Sequence, residues 1–174
     1  MYTELSLYID GHFIGADQRD CLDVVNPATE EVIGKLPTAT TEDLDLALNA
    51  AHKAFQSWRR SSPLERSKIL RKVAELTRER VDEIARNITL DMGKPLAEAR
   101  TEVLNCAEQA EWHAEECRRI YGRTIPPRVE GVRQFVTKEP VGVCVAFTPW
   151  NFPYNQAIRK MVAALGSGCT LVLK

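Results

Sequence analysis

The sequence predicts an α/β fold in which a β-hairpin and helices precede one β-α-β unit of a parallel sheet. Three observations carry that reading. The apolar runs Val141 to Phe147 and Cys169 to Leu173 bracket an amphipathic stretch, the pattern of two buried parallel strands joined by a crossover helix. Residues 41 to 117 hold long segments in which apolar residues recur at helical spacing. Near the start, Leu7-Tyr8-Ile9-Asp10-Gly11-His12-Phe13-Ile14 places Asp-Gly between apolar pairs, the strongest short hairpin signal.

After the hairpin, Thr41 is the expected N-cap of the first helix, with Glu42 and Asp43 in its first turn and Leu44, Ala47, Leu48, Ala51, Phe55 and Trp58 as its core stripe. Ser62-Pro63-x-Glu65 starts a second helix with a cap, a first-turn proline and a capping-box glutamate. Gly93 and Pro95 end it, and its stripe is Leu70, Val73, Leu76 or Thr77, Val81, Ile84 and Ile88. The cations Arg59, Arg60, Arg66, Lys68, Arg71 and Lys72 alternate with Glu65 and Glu75, so they read as a solvated helix face. A third helix runs from Leu96 to near Tyr121-Gly122, with Ala99, Val103, Cys106, Ala107, Ala110, Ala114 and Cys117 on one side; residues that small imply close packing. Pro126-Pro127 breaks the chain, and residues 132 to 138 alternate as a strand before Glu139-Pro140.

The 174 residues are 44% hydrophobic and 27% charged, with a formal net charge of -1. That balance offers no electrostatic case for nucleic acid or an anionic membrane. Met1-Tyr2-Thr3-Glu4-Leu5-Ser6 lacks the basic and apolar regions of a signal peptide, and no run of about 18 apolar residues exists for a membrane span. A cytoplasmic protein is expected. The five cysteines, Cys21, Cys106, Cys117, Cys144 and Cys169, show no CxxC spacing and read as reduced, mostly buried side chains. His12, His52 and His113 are scattered, which leaves no expected metal site.

The chemistry concentrates where the first parallel strand meets its helix, at Thr148-Pro149-Trp150-Asn151-Phe152-Pro153. Strand-to-helix junctions are where open α/β sheets bind ligands. Two prolines stiffen the turn around the Asn151 carboxamide, a group suited to an oxyanion. Along the helix, Phe152, Asn155, Gln156 and Arg159 stand at i, i+3, i+4 and i+7. Such a face suits a small polar or anionic ligand; it also suits an exposed helix face at a subunit or domain boundary. There is no Gly-x-Gly-x-x-Gly fingerprint.

Taken together, Glu139-Pro140-Val141-Gly142-Val143, Thr148 to Pro153, Lys160, Gly168 and Leu171-Val172-Leu173-Lys174 resemble the aldehyde dehydrogenase superfamily, with further matches at Val25 to Thr29 and Asp91-Met92-Gly93-Lys94-Pro95. The resemblance implies the N-terminal portion of that fold. Residues 1–139 would form the hairpin, helices and an oligomerisation-type strand, and residues 140–174 the incomplete start of a Rossmann-like NAD(P)-binding sheet, with the catalytic domain absent. It further implies NAD or NADP as cofactor, a thiolate that attacks a small-molecule aldehyde, and hydrolysis of the resulting acyl-enzyme. Asn151 matches the oxyanion donor. Phe147, Thr148, Pro149 and Trp150 match the loop lining the cofactor cleft, where the indole has packing as an equal reading, and Lys174 matches the lysine that bonds the adenosine ribose. Phe152, Asn155, Gln156 and Arg159 match the substrate channel.

Ala163 and Cys169 depart from the family's common proline and asparagine. With Arg159-Lys160, Ala114-Glu115-Glu116 and Arg119-Ile120-Tyr121-Gly122 they resemble the succinate-semialdehyde dehydrogenase group, in which Arg159 would grip a substrate carboxylate. No Gly-Gln-x-Cys segment occurs in the chain, so the 174 residues alone are expected to be inactive, and the parent to be a homodimer or homotetramer. The other readings are a non-catalytic assembly or regulatory fragment and an acylating relative of the same fold.

Overall fold

The computed structural model describes residues 2–174; Met1, which belongs to the stretch read above for a leader, lies outside the described residues. Strands β1 (Ser6–Ile9) and β2 (His12–Gly15) pair antiparallel, with Ile9 opposite His12. Their turn holds Asp10 at φ 49° and Gly11 at φ 84°, the left-handed conformations that a two-residue hairpin loop demands. Strands β3 (Cys21–Val25) and β4 (Val32–Pro37) make a second antiparallel pair. Between them Asn26 Oδ1 accepts the amide of Ala28 at 2.9 Å, which folds the Asn-Pro-Ala-Thr segment into a turn.

Helix α1 (Thr41–Trp58) is capped by Thr40, one residue earlier than expected. Thr40 Oγ1 accepts the Asp43 amide at 3.2 Å, and Asp43 Oδ2 accepts the Thr40 amide at 2.9 Å. The reciprocal pair fixes the cap, because only Thr40 stands three residues before a carboxylate that reaches back. Asp43 is buried and accepts two bonds from Arg19, each 2.8 Å. Of the expected stripe, Ala51 and Phe55 are buried, whereas Leu44 and Leu48 are exposed. Helix α1 meets the parallel strand of Thr170 at Ala51, whose carbonyl accepts from Thr170 Oγ1 at 2.8 Å.

The expected single helix from Pro63 to Met92 is two, α2 (Pro63–Glu79) and α3 (Val81–Met92), divided at Arg80. Ser62 and Glu65 form the capping box, and Gly93, at φ 78°, is the left-handed cap of α3. No proline or glycine marks the break. Both halves pack on α4 (Leu96–Glu116): Leu70 and Ala74 meet its later turns, while Ala85 and Ile88 meet Ala99 and Val103. At 1.5 Å per residue a straight helix of that combined length would overshoot α4, and the bend at Arg80 keeps both stripes buried.

Helix α4 ends earlier than expected, passing through a 3-10 turn at Cys117–Arg119. Its stripe from Ala99 to Cys117 is fully buried, and the small side chains let α2 and the later helix α5 (Pro153–Gly166) approach closely. Arg66 departs from the expected solvated face. It is buried, donating Nε to the Gly166 carbonyl at 3.1 Å and Nη1 to the Ser61 carbonyl at 2.5 Å. The other cations of that run stay exposed, Arg71 pairing with Glu115 and Lys72 with Glu75.

Strands β5 (Arg123–Ile125) and β6 (Gln134–Val136) form an exposed antiparallel arm. The β-α-β unit follows as β7 (Val143–Ala146), α5 (Pro153–Gly166) and β8 (Thr170–Leu173), the two strands parallel with Val143 opposite Thr170 and Ala146 opposite Leu173. All five cysteines are free. No helix among the described residues is long and apolar enough to cross a membrane.

Candidate active site

The turn between β7 and α5 sits at the carboxyl ends of the two parallel strands. Those ends are joined: Lys174 donates its amide to the Ala146 carbonyl at 2.9 Å, and the Thr148 amide and hydroxyl both donate to the Lys174 carbonyl, at 2.8 and 3.1 Å. Phe147, Pro149, Trp150, Asn151 and Lys174 are all exposed around this edge, with Thr148 half-buried. Residues far apart in sequence, Thr148 and Lys174, thus become neighbours through parallel pairing.

Beneath the turn lies a charged pair that the sequence reading did not single out. Lys94, between the cap of α3 and the start of α4, and Glu102, on α4, are 8% and 4% exposed. Lys94 Nζ donates to Glu102 Oε2 at 2.5 Å and to the backbone carbonyl of Asn151 at 3.0 Å, and it stands 3.8 Å from the centre of the Phe152 ring. Glu102 Oε1 accepts the amides of Tyr154 and Asn155 at 3.1 and 3.0 Å. Helix α5 has no side-chain N-cap of its own. The carboxylate from α4 takes that place, satisfying two first-turn donors and meeting the positive end of the helix dipole. The available signals were Lys94 inside the Met-Gly-Lys-Pro match and an acid at position 102 within the small, apolar face of α4.

The face from Phe152 to Arg159 is not uniform. Phe152 and Arg159 are exposed, and Asn155 and Gln156 are half-buried. Gln156 Oε1 accepts from Lys160 Nζ at 2.9 Å, while Asn155 meets the thiol of Cys106. Burial, reinforced by the charge of Glu102, pushes that thiol up to about 12, so Cys106 stays protonated and unreactive near neutral pH. Tyr154 lies against both parts of the helical core and shares a hydroxyl hydrogen bond of 3.0 Å with Thr77.

Chemically, the arrangement offers an exposed carboxamide on a backbone held from below, an open strand edge with a lysine, and an exposed guanidinium two turns along the helix. Known proteins share the fold that carries it. The family model described as "Aldehyde dehydrogenase family" matches residues 13–174. A glutarate-semialdehyde dehydrogenase of Pseudomonas putida is 47% identical over 167 residues, 96% of this chain and 35% of that protein. An NADP(+) succinate-semialdehyde dehydrogenase of Escherichia coli K12 is 43% identical over 95% of this chain and 34% of its own length. The crystal structure of aldehyde dehydrogenase 21 from Physcomitrella patens, in complex with the reaction product succinate, superposes with a TM-score of 0.94 at 35% identity, over all of this chain and 37% of that one. The chain thus spans about a third of the length of the relatives it matches. The strand, proline-bounded turn and helix around Asn151, with the helices beneath them, are those of a known enzyme fold, and the chain belongs to the aldehyde dehydrogenase family.

Proposed function

We propose that this chain contributes the oxyanion donor and part of the cofactor cleft to an NAD(P)-dependent oxidation of a small carboxylated aldehyde, a semialdehyde such as succinic semialdehyde, to its acid. The observation that carries the reading is the Asn151 carboxamide, exposed on a turn whose backbone is anchored at the Asn151 carbonyl and at the first amides of α5. When a thiolate adds to the aldehyde carbonyl, charge builds on the oxygen. A donor already held in place stabilises that charge without reorganising, and one such donor contributes about 2.7 to 4 kcal/mol in the transition state.

The strand ends fit a dinucleotide. Exposed Phe147, Trp150 and Lys174 surround the carboxyl edge of β7 and β8, the place where open parallel sheets take nucleotides. Phe147, Thr148, Pro149 and Trp150 would line the cleft, and the Lys174 ammonium would donate to a ribose hydroxyl. The nicotinamide, when bound, supplies the hydride acceptor. Phe152, Asn155, Gln156 and Arg159 would line the substrate channel, with the Arg159 guanidinium on the substrate carboxylate; that preference for an anionic aldehyde is supported by the relatives named for semialdehydes. Residues 1–139 would be the helical and assembly part, residues 140–174 the start of the cofactor sheet, and the exposed arm of β5 and β6 the contact through which a cytoplasmic homodimer or homotetramer forms.

None of the five cysteines lies in a Gly-Gln-x-Cys segment, and the 174 residues alone are proposed to be inactive. The test is turnover by the full-length protein that carries this sequence, given succinic or glutaric semialdehyde with NAD+ or NADP+ and followed by nicotinamide absorbance. Reduction of either nucleotide is the expected result. No turnover on any carboxylated aldehyde with either nucleotide would overturn the proposal.

A further inference from the structure

We infer that Lys94 and Glu102 are positioning residues for Asn151, an assignment that rests on the oxyanion role proposed above. A buried ion pair is a poor source of net stability, because desolvating two charges roughly cancels their attraction. What this pair secures is geometry. Its polar atoms are spent on one stretch of backbone: Glu102 Oε1 on the amides of Tyr154 and Asn155, Glu102 Oε2 on Lys94, and Lys94 Nζ on the Asn151 carbonyl. The ammonium also covers the ring of Phe152 at 3.8 Å. Residues 151, 152, 154 and 155 are therefore gripped by two side chains, with Pro153 fixed between them. The Asn151 carbonyl is tied inward, and its carboxamide is left with no hydrogen bond among the described residues.

The grip is itself rigid. Lys94 follows Gly93, whose φ of 78° caps α3, and precedes Pro95, the N-cap of α4. Glu102 lies between the fully buried Ala99 and Val103 and Cys106 on the packed face of α4. A functional side chain keeps its geometry when the groups behind it sit on packed elements. A displacement of about 1 Å in a catalytic group costs about a hundredfold in rate. The ammonium does not touch the reacting atoms; it acts through the Asn151 backbone.

The test is a double-mutant cycle on kcat in the full-length protein carrying this sequence, with a saturating carboxylated aldehyde. Asn151→Ala is expected to lower kcat by about 10²- to 10³-fold, and Lys94→Met by about 10- to 100-fold with little change in KM for the aldehyde. Lys94→Met/Asn151→Ala should be no slower than Asn151→Ala, since the tether has nothing left to position. Losses that multiply, or a Lys94→Met enzyme with wild-type kcat, overturn the inference while the reading of Asn151 stands. Wild-type kcat in Asn151→Ala overturns that reading, and the inference falls with it. Should Lys94→Met leave Glu102 charged and the protein unfolded, Lys94→Met/Glu102→Gln replaces it in the cycle. That variant keeps an acceptor for the Tyr154 and Asn155 amides and removes only the tether, so the same outcomes decide.

Discussion

Tyr154 and Thr77 share a hydrogen bond of 3.0 Å between their hydroxyls, joining the first turn of the helix that follows Asn151 to the last turn of α2. Tyr154 also packs against both parts of the helical core. Burial raises its phenol above the ordinary range, against the hydrogen bond to Thr77, so the neutral ring is the form present near neutral pH. Tyr154→Phe should leave the Thr77 hydroxyl unpartnered in the interior at a cost of about 1 to 3 kcal/mol. Chemical denaturation of wild type and variant measures it; equal midpoints would say that water replaces the phenol.

Acid should destabilise the fold through Asp43. The Arg19 guanidinium, with the Thr40 amide, holds its carboxyl well below the usual carboxylate range, more than offsetting burial. In the unfolded chain the carboxyl has its ordinary value of about 3.9. Below that pH the unfolded state binds a proton that the folded state does not, so stability falls as pH drops toward the folded value and is complete above the unfolded one. Urea midpoints should therefore decline between pH 5 and pH 3 more steeply in wild type than in Asp43→Asn. Parallel curves would remove Asp43 from the account.

Native thiol labelling should spare Cys106 and Cys117. Both are fully buried and both thiols are raised by burial, Cys106 to about 12. Mapping iodoacetamide adducts at pH 8 should find these two unmodified until guanidinium is added. Labelling of native Cys106 as fast as half-buried Cys21 would contradict the packing of α4.

Arg159→Ala in the full-length protein should raise KM for succinic semialdehyde and spare a neutral aldehyde, because a charge-assisted hydrogen bond contributes about 1.5 to 3 kcal/mol to the carboxylate alone. Equal losses on both substrates would make the exposed arginine a structural residue.

The parts of this fold legible in the sequence are those decided locally. Asp10-Gly11 specified its hairpin, Ser62 and Glu65 their capping box, Gly93 its cap, and the apolar runs around residues 143 and 171 their parallel pairing. The capping box spacing from Asp43 back to Thr40 was equally readable. What local pattern does not carry are features whose partners lie far along the chain. The bend at Arg80 follows from the length of α4. Arg66 is buried because Gly166, 100 residues later, supplies a carbonyl. Leu44 and Leu48 have helical spacing without an element to cover them. At the site, Asn151 and its prolines stood out, whereas Lys94 reaches the turn across 57 residues and Glu102 reaches it across 52.

The most direct test of the account is kcat of the full-length protein on saturating succinic semialdehyde, with and without Asn151→Ala. The account predicts a fall of about 10²- to 10³-fold with KM nearly unchanged. A variant whose kcat stays within about threefold of wild type would contradict it, since removal of an oxyanion donor is far costlier than that.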